Sequence, residues 1–349
     1  MPKLCKYGTH RVITPQGVLP QAADVLDNTM VCQENEILVD VATLNIDAAS
    51  FTQLKAAANN DPEQIKKAIV DIVATRGKMQ NPVTGSGGMF IGKIREIGSE
   101  ITTDAKVGDE IASLVSLSLT PLKIARILAI RPDRDQVDII GQAILFASSI
   151  YAKIPEDLPP RLVLAALDVC GAPAQVAKLV KPKDAVLIIG ASGKSGLLCA
   201  YQARKSAGPA GRVIAIINDI GQLADLERLG VCDKIVIGDA RQPMDIYHKV
   251  LDANNGAKVD VTINVVNVPN TELSSILPTK DEGVVYFFSM ATSFAKAALG
   301  AEGVASETMM LIGNGYTKGH AQLTLDLFRE SKELYDIFMR RYVSEGEQS

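Results

Sequence analysis

The chain has 349 residues, 47 % of them hydrophobic, with 36 basic and 40 acidic side chains and a formal net charge of −4. That length holds two domains with sizeable cores, and the absence of a basic block points away from nucleic acid and anionic membrane surfaces as partners. The N-terminal MPKLCKYGTHRV lacks the apolar core of a signal peptide, and no 18-residue apolar run escapes interruption by Gly, Lys or Asp, so a cytoplasmic protein is expected.

In chain order, residues 1–158 alternate short strand signals (36–41, 90–97, 109–115) with turns and read as a small β-rich domain. An alanine-rich, charged stretch over 48–78, with Asp61-Pro62 as a helix start, predicts helical cover over that domain. Pro159-Pro160 marks a boundary, and 161–180 reads as one or two helices.

A dinucleotide-binding βαβ unit then occupies 183–219. The apolar run 185–189 reads as a buried parallel strand, and Gly190, Gly193 and Gly196 punctuate the turn into a helix. Such a turn brings a pyrophosphate against free backbone N–H groups at the positive end of the helix dipole, which assigns Gly190, Ala191, Ser192, Gly193, Lys194, Ser195 and Gly196 to cofactor binding. The pattern is G-x-x-G-x-x-G, with Ala191 where the first glycine of the usual G-x-G-x-x-G would stand. Gly193-Lys194-Ser195 resembles the end of a P-loop, but Ile188 stands where that loop needs its first glycine.

The second strand, 212–218, ends Ile216-Ile217-Asn218-Asp219, which places Asn218 or Asp219 at the ribose. Asp219 is equally suited to cap the helix that follows, and NAD and NADP stay open as cofactors. Further strand signals at 234–237, 259–266, 284–289 and 309–312 complete a doubly wound parallel sheet of about six strands. Asn264, Asn267, Ser289 and Met290 lie at strand ends that face the nicotinamide half of a cofactor in such a sheet. The tail over 324–342 is amphipathic and helical by pattern. The five cysteines are scattered without a C-x-x-C pair, so neither a disulfide framework nor a zinc knuckle fits; Cys170 and Cys199 read as packing residues.

A β-rich domain followed by a Rossmann domain is the layout of the medium-chain dehydrogenase/reductase superfamily. The segment NPVTGSGGMFIGKIREIGSEITTDAKVGDEI (81–111) resembles the superfamily's P-x-x-x-G-H-E-x-x-G-x-V…VG…KVGD-x-V stretch. Ser86-Gly87 stand where that family carries its zinc-binding His-Glu, and Ile46 lies near the zinc-binding Cys position, so no metal site is expected.

Segments along nearly the whole chain resemble, more closely, the bacterial L-erythro-3,5-diaminohexanoate dehydrogenases of lysine fermentation. They are KYGTHRV (6–12), LNIDAASFTQ (44–53), NPVTGSGGM (81–89), LVSLSLTPLKI (114–124), ALDVCGAPAQVAKLVKP (166–182), VNVPNTE (266–272), YFFSMATSFAKAALGAEGV (286–304) and GNGYTKGHA (313–321). The resemblance implies an α/β fold with a GroES-like catalytic domain (1–158) and a Rossmann domain (159–330), the last helix (331–349) packing back on the former. It implies oxidative deamination of the diamino acid at C3 by NAD or NADP, and a homodimer is the default for the architecture, with 309–312 as a pairing edge.

Amine oxidation needs a carboxylate near the reacting carbon and a water activated against the imine. Asp168 and Asp47 are the candidates, with Ser86 and Thr84 in the vacated zinc region as hydrogen-bonding partners of substrate or water. The bland alternatives are a helix N-cap for Asp47, an internal helix bond for Asp168 and turn chemistry for Ser86 and Thr84. Arg76 and Lys78 are candidate anchors for the substrate carboxylate, and His320 reads as a surface or subunit-contact residue. A zinc-free quinone or enone reductase and a non-enzymatic dinucleotide-binding protein are the alternative functions.

Overall fold

A computed structural model describes residues 4–313 and 315–343 of the chain. Asn314, inside the GNGYTKGHA segment, and the part of the expected last helix beyond residue 343 lie outside the described residues. The chain divides into two compact units at Asp168 and Val169.

The first unit opens with a short antiparallel pair, β1 (Val12–Thr14) and β2 (Val25–Leu26). Its main sheet is built from β3 (Glu36–Ile46), β4 (Gly88–Ile97), β5 (Glu110–Ser113), β6 (Leu122–Arg131), β7 (Gln136–Phe146) and β8 (Tyr151–Lys153), ordered β6-β7-β3-β4-β5-β8 with every pairing antiparallel. Two helices, α1 (Ala48–Ala57) and α2 (Pro62–Arg76), fill the connection between β3 and β4. Asp61 accepts the Glu63 N–H at 2.9 Å and Pro62 fills the first turn, where its missing donor costs nothing, so the start legible in the sequence forms as expected. Phe51, Leu54, Ile65, Ile69 and Val73 point from the two helices into one core with Val39, Leu44 and Ile46 of β3. The hairpin β6–β7 is longer than any element expected there. Its solvent face breaks the strict alternation that would have marked it, with Ile124, Arg126 and Ile127 all half or fully exposed. The unit closes with α3 (Pro160–Leu167), whose residues 162–167 are all buried.

The second unit begins with α4 (Gly171–Leu179) and alternates strand and helix thereafter: β9 (Ala185–Ile189), α5 (Lys194–Ala207), β10 (Arg212–Ile217), α6 (Leu223–Leu229), β11 (Lys234–Ile237), α7 (Pro243–Ala253), β12 (Val259–Asn264), α8 (Glu272–Ile276), β13 (Thr279–Phe287), α9 (Phe294–Gly303), β14 (Met309–Ile312), α10 (His320–Glu330) and α11 (Lys332–Tyr342). The six strands form one parallel sheet ordered β11-β10-β9-β12-β13-β14, which reverses direction of growth beside β9 and so matches the doubly wound expectation. Val186 to Ile189 and Val213 to Ile217 are wholly buried, as strands covered on both faces require.

Two placements differ from the expected domain plan. The connection at Pro159-Pro160 is not the division: α3 stays with the first unit. The last helix belongs with the second unit, where Leu334, Ile337 and Phe338 are buried and Phe338 meets Phe328 of α10 edge-on at 4.8 Å. Arg228 of α6 pairs with Asp336 at 3.0 Å, which fixes α11 to that unit from its polar side as well. Among the described residues no single helix is long and apolar enough to cross a membrane.

Candidate functional site

The carboxylate of Asp47 sits where β3 ends and α1 begins. One oxygen, Oδ1, accepts the Ser50 N–H at 3.1 Å and caps the helix; the other, Oδ2, accepts the Ser86 hydroxyl at 2.6 Å. The capping alternative is therefore realised on one oxygen, while the other holds the Ser86 hydroxyl. Ser86 Oγ also lies 2.9 Å from Ser50 Oγ and 3.2 Å from Thr84 Oγ1, and Ser50 and Thr84 are 2.5 Å apart. Three of the four catalytic candidates, Asp47, Ser86 and Thr84, are thus gathered into one hydrogen-bonded cluster. The fourth, Asp168, is half-buried at the C-terminal end of α3, its N–H bonded to Leu164 O at 3.2 Å, and stands on a different element from that cluster.

The turn that carries Ser86 is organised by Asn81, which is fully buried. Its Oδ1 accepts the N–H groups of Val83 and Thr84, and its Nδ2 donates to Gln53 Oε1 at 2.8 Å and Ser50 O at 3.3 Å, tying the turn to α1. Ser50 and Asn81 escape a reading of the sequence because 31 residues separate them. The only local signals are Asn81-Pro82 as a turn initiator and a serine three residues after a capping aspartate.

At the positions that resemble zinc-ligand positions the sequence has Ile46, Ser86 and Gly87. Among the described residues no three His, Cys, Asp or Glu side chains converge as a ligand set. The expected carboxylate anchors are occupied elsewhere. Lys78 is fully buried, donating to Pro20 O at 2.7 Å and Gln21 O at 3.3 Å; burial, aided by Arg76 and opposed by Asp24, pushes its pKa down to about 8. Arg76 donates to Gln80 Oε1 at 2.9 Å. Lys78 is thus not a solvated surface residue.

In the second unit the glycine turn has the form a pyrophosphate needs. Gly190 has φ +87°, and a Cβ there would meet Val266 Cγ2 at 2.8 Å; a Cβ on Gly196 would stand 2.2 Å from Gly190 O, so strand, turn and helix approach too closely for any side chain. No side-chain hydrogen bond caps α5 at Gly193, and the backbone N–H groups of a helix's first turn form a site for an anion. Ala191 is buried beside Ser192, whose hydroxyl donates to Gln222 Oε1 at 2.6 Å. Lys194 Nζ lies over the Tyr342 ring, 5.8 Å from its centroid. Arg341 donates to Ser192 O at 2.8 Å and pairs with Asp225, joining α11 to the phosphate turn. That contact is invisible in the sequence, where nothing says which surface an amphipathic helix covers.

At the end of β10, Asn218 is exposed and Asp219 Oδ1 accepts the Gly221 N–H at 2.7 Å, the capping alternative. Asn264 is buried and serves the adjoining loop: its amide donates to Thr271 Oγ1 at 2.9 Å and Ser275 Oγ at 2.8 Å and accepts from the Val266 N–H. The loop it holds carries Asn267, exposed and 3.4 Å from Ser289 Oγ at the end of β13; Met290, the next residue, is 76 % exposed. His320 is buried, not a surface residue, with Tyr316 edge-on at 5.3 Å, and burial lowers its pKa. Cys170 and Cys199 are buried, as packing residues are.

Three comparisons bear on this arrangement. Residues 10–155 match the family model described as the L-erythro-3,5-diaminohexanoate dehydrogenase N-terminal domain. The chain is 59 % identical over 345 residues to L-erythro-3,5-diaminohexanoate dehydrogenase of Fusobacterium nucleatum, and 57 % identical over 343 residues to that of Acetoanaerobium sticklandii, covering 98 % of this chain and 100 % of each relative. Among solved structures, Escherichia coli quinone oxidoreductase complexed with NADPH superimposes with a TM-score of 0.52 over 89 % of this chain and 82 % of that one, at 16 % identity, a likeness of fold. With the resemblance extending from the family model across both units, this chain belongs to the L-erythro-3,5-diaminohexanoate dehydrogenase family.

Proposed function

We propose that this chain catalyses the NAD(P)-dependent oxidative deamination of L-erythro-3,5-diaminohexanoate at C3, giving 5-amino-3-oxohexanoate and ammonia, in lysine fermentation. The observation that carries the reading is the Ser86 hydroxyl bonded at 2.6 Å to the Asp47 carboxylate, Ser86 being the residue that resembles a metal-ligand position of the wider superfamily. A metal activates an alcohol by binding its oxygen. A substrate ammonium instead has to lose a proton before it is oxidised, and a carboxylate with a hydroxyl partner is the group for that task.

When bound, a nicotinamide dinucleotide supplies the hydride acceptor. The glycine turn at Gly190 to Gly196 suits its pyrophosphate, and Asn218, Asp219, Asn267, Ser289 and Met290 are the proposed contacts along its length; Asn264 acts through the loop that it holds. The E. coli neighbour's NADPH favours a nicotinamide cofactor of the same kind here. In the first unit Asp47 removes the amine proton with Ser86 as its hydrogen-bonding partner, Thr84 takes part in holding substrate or water, and Asp168 is the proposed anchor of the second ammonium. Water then hydrolyses the C3 imine. Two copies pairing along β14, the open edge of the parallel sheet, are part of the same proposal.

Incubation with the diamino acid and oxidised cofactor tests this. Reduced nicotinamide and ammonium are expected in equal amounts, with the rate rising on the alkaline side, above about pH 8, as the amine loses its proton. Absence of both products with NAD and with NADP sinks the reading.

A further inference from the structure

Ser50 belongs to the Asp47 cluster without an evident task. It is fully buried, its Oγ 2.5 Å from Thr84 Oγ1 and 2.9 Å from Ser86 Oγ. A hydroxyl donates one hydrogen bond and accepts up to two. Ser86 uses its proton on Asp47, so towards Ser50 and Thr84 it only accepts. The two shorter sides of the triangle then form a directed chain, Thr84 to Ser50 to Ser86 to Asp47, in which every hydroxyl donates inward. One end of this chain is a carboxylate. The other, Thr84, is exposed to solvent.

We propose that Ser50 is the buried middle link of a proton relay between Asp47 and solvent at Thr84. The inference rests on the amine-oxidation reading, whose balance calls for such a path: ammonium substrate, oxidised cofactor and water give ketone, reduced cofactor, ammonium ion and one free proton. Asp47 takes the proton from the substrate ammonium. The three hydroxyls turn outward; the carboxyl O–H then breaks as Ser86 gains that proton, Ser86 passes its own to Ser50, Ser50 to Thr84, and Thr84 to a water or buffer base. Each hydroxyl ends with one proton, pointing at Asp47 as before. No electrons move along the chain, since the electron pair leaves C3 with the hydride.

The test compares Ser50→Ala, Thr84→Val and the double variant in steady-state oxidation of 3,5-diaminohexanoate, with and without added imidazole as a small proton carrier. Cutting either link is expected to lower kcat by about tenfold or more. The double variant should fall no further than the worse single one, because both interrupt one path. Imidazole should restore turnover in the variants and leave the wild type unmoved, and Thr84→Ser should recover most of what Thr84→Val loses. Losses that multiply in the double variant, insensitivity to imidazole, or a Ser50→Ala enzyme within about twofold of wild type would each overturn the relay. Should Ser50→Ala fail to fold, the exposed Thr84 pair of variants decides the matter by itself. A wild-type enzyme that does not oxidise the diamino acid removes the amine-oxidation reading, and the relay with it; a wild type that does so while its variants are unaffected removes the relay alone.

Discussion

Lys78 shows what a buried charge held by backbone carbonyls does to a fold. Its Nζ reaches two backbone carbonyls, and burial holds its pKa near 8 against an ordinary value of 10.5. The sign follows: between about pH 8 and 10.5 the unfolded chain binds this proton more tightly than the folded one, so stability rises with pH in that window. Below it both states are protonated and the penalty is constant. The gain amounts to at most about 3 kcal/mol. Chemical denaturation at pH 7.5 and pH 10 is expected to show it, and Lys78→Met should flatten that slope; an unchanged slope would mean that Lys78 is not its source.

Glu36 behaves in the opposite way. Burial raises its pKa, but the bonds from His10 and Arg11 prevail and hold it below the usual carboxylate range. Its stabilisation is present at neutral pH and is lost as acid protonates it. Glu36→Gln leaves Arg11, 1 % exposed, with Asp27 at 3.7 Å as its remaining anion, and a loss of about 3 kcal/mol is expected in thermal or denaturant unfolding at pH 7. A change below about 1 kcal/mol would show that the carbonyls of Thr29 and Val31, which Arg11 also meets, suffice for it.

At the scale of elements, α11 is the piece whose role changes most between sequence and structure. Its amphipathic pattern announced a buried face, realised in Leu334, Ile337 and Phe338, but a pattern carries no address. The address comes from Arg341, bonded to Ser192 O in the phosphate turn, and from Arg228 with Asp336. Arg341→Ala is expected to weaken cofactor affinity several-fold while kcat at saturating cofactor stays nearly unchanged; titration calorimetry of the dinucleotide checks this, and an unaltered Kd would separate α11 from the turn. The βαβ unit was legible because its determinants are local: an apolar run, glycines where no side chain fits, and a second strand at a fixed distance. The Asp47 cluster was legible only in part. Asp47, Ser86 and Thr84 were flagged by chemistry and alignment, whereas Ser50 and Asn81 enter through contacts between α1 and a turn more than thirty residues away. The β6–β7 hairpin was missed for a related reason, since β6 mixes exposed and half-buried positions without regular alternation and β7 is mostly buried.

For the whole molecule, β14 leaves one edge of the parallel sheet open, and Met309 on it is 69 % exposed. Pairing of two copies there predicts a dimer by sedimentation, converted toward monomer by Met310→Pro, which removes a backbone donor from the strand. A wild-type monomer at micromolar concentration would dispose of that part of the proposal.

The proposed division of labour between the units is the central claim: the second is to hold a dinucleotide, and Asp47 with Ser86 in the first to do the acid–base work. Asp47→Asn tests it most directly, since asparagine still caps α1 but cannot take a proton. Cofactor reduction on 3,5-diaminohexanoate above about pH 8 should fall roughly 10²- to 10⁴-fold in the variant, with dinucleotide affinity and melting temperature near those of wild type. A variant that reduces the cofactor at the wild-type rate would contradict the account.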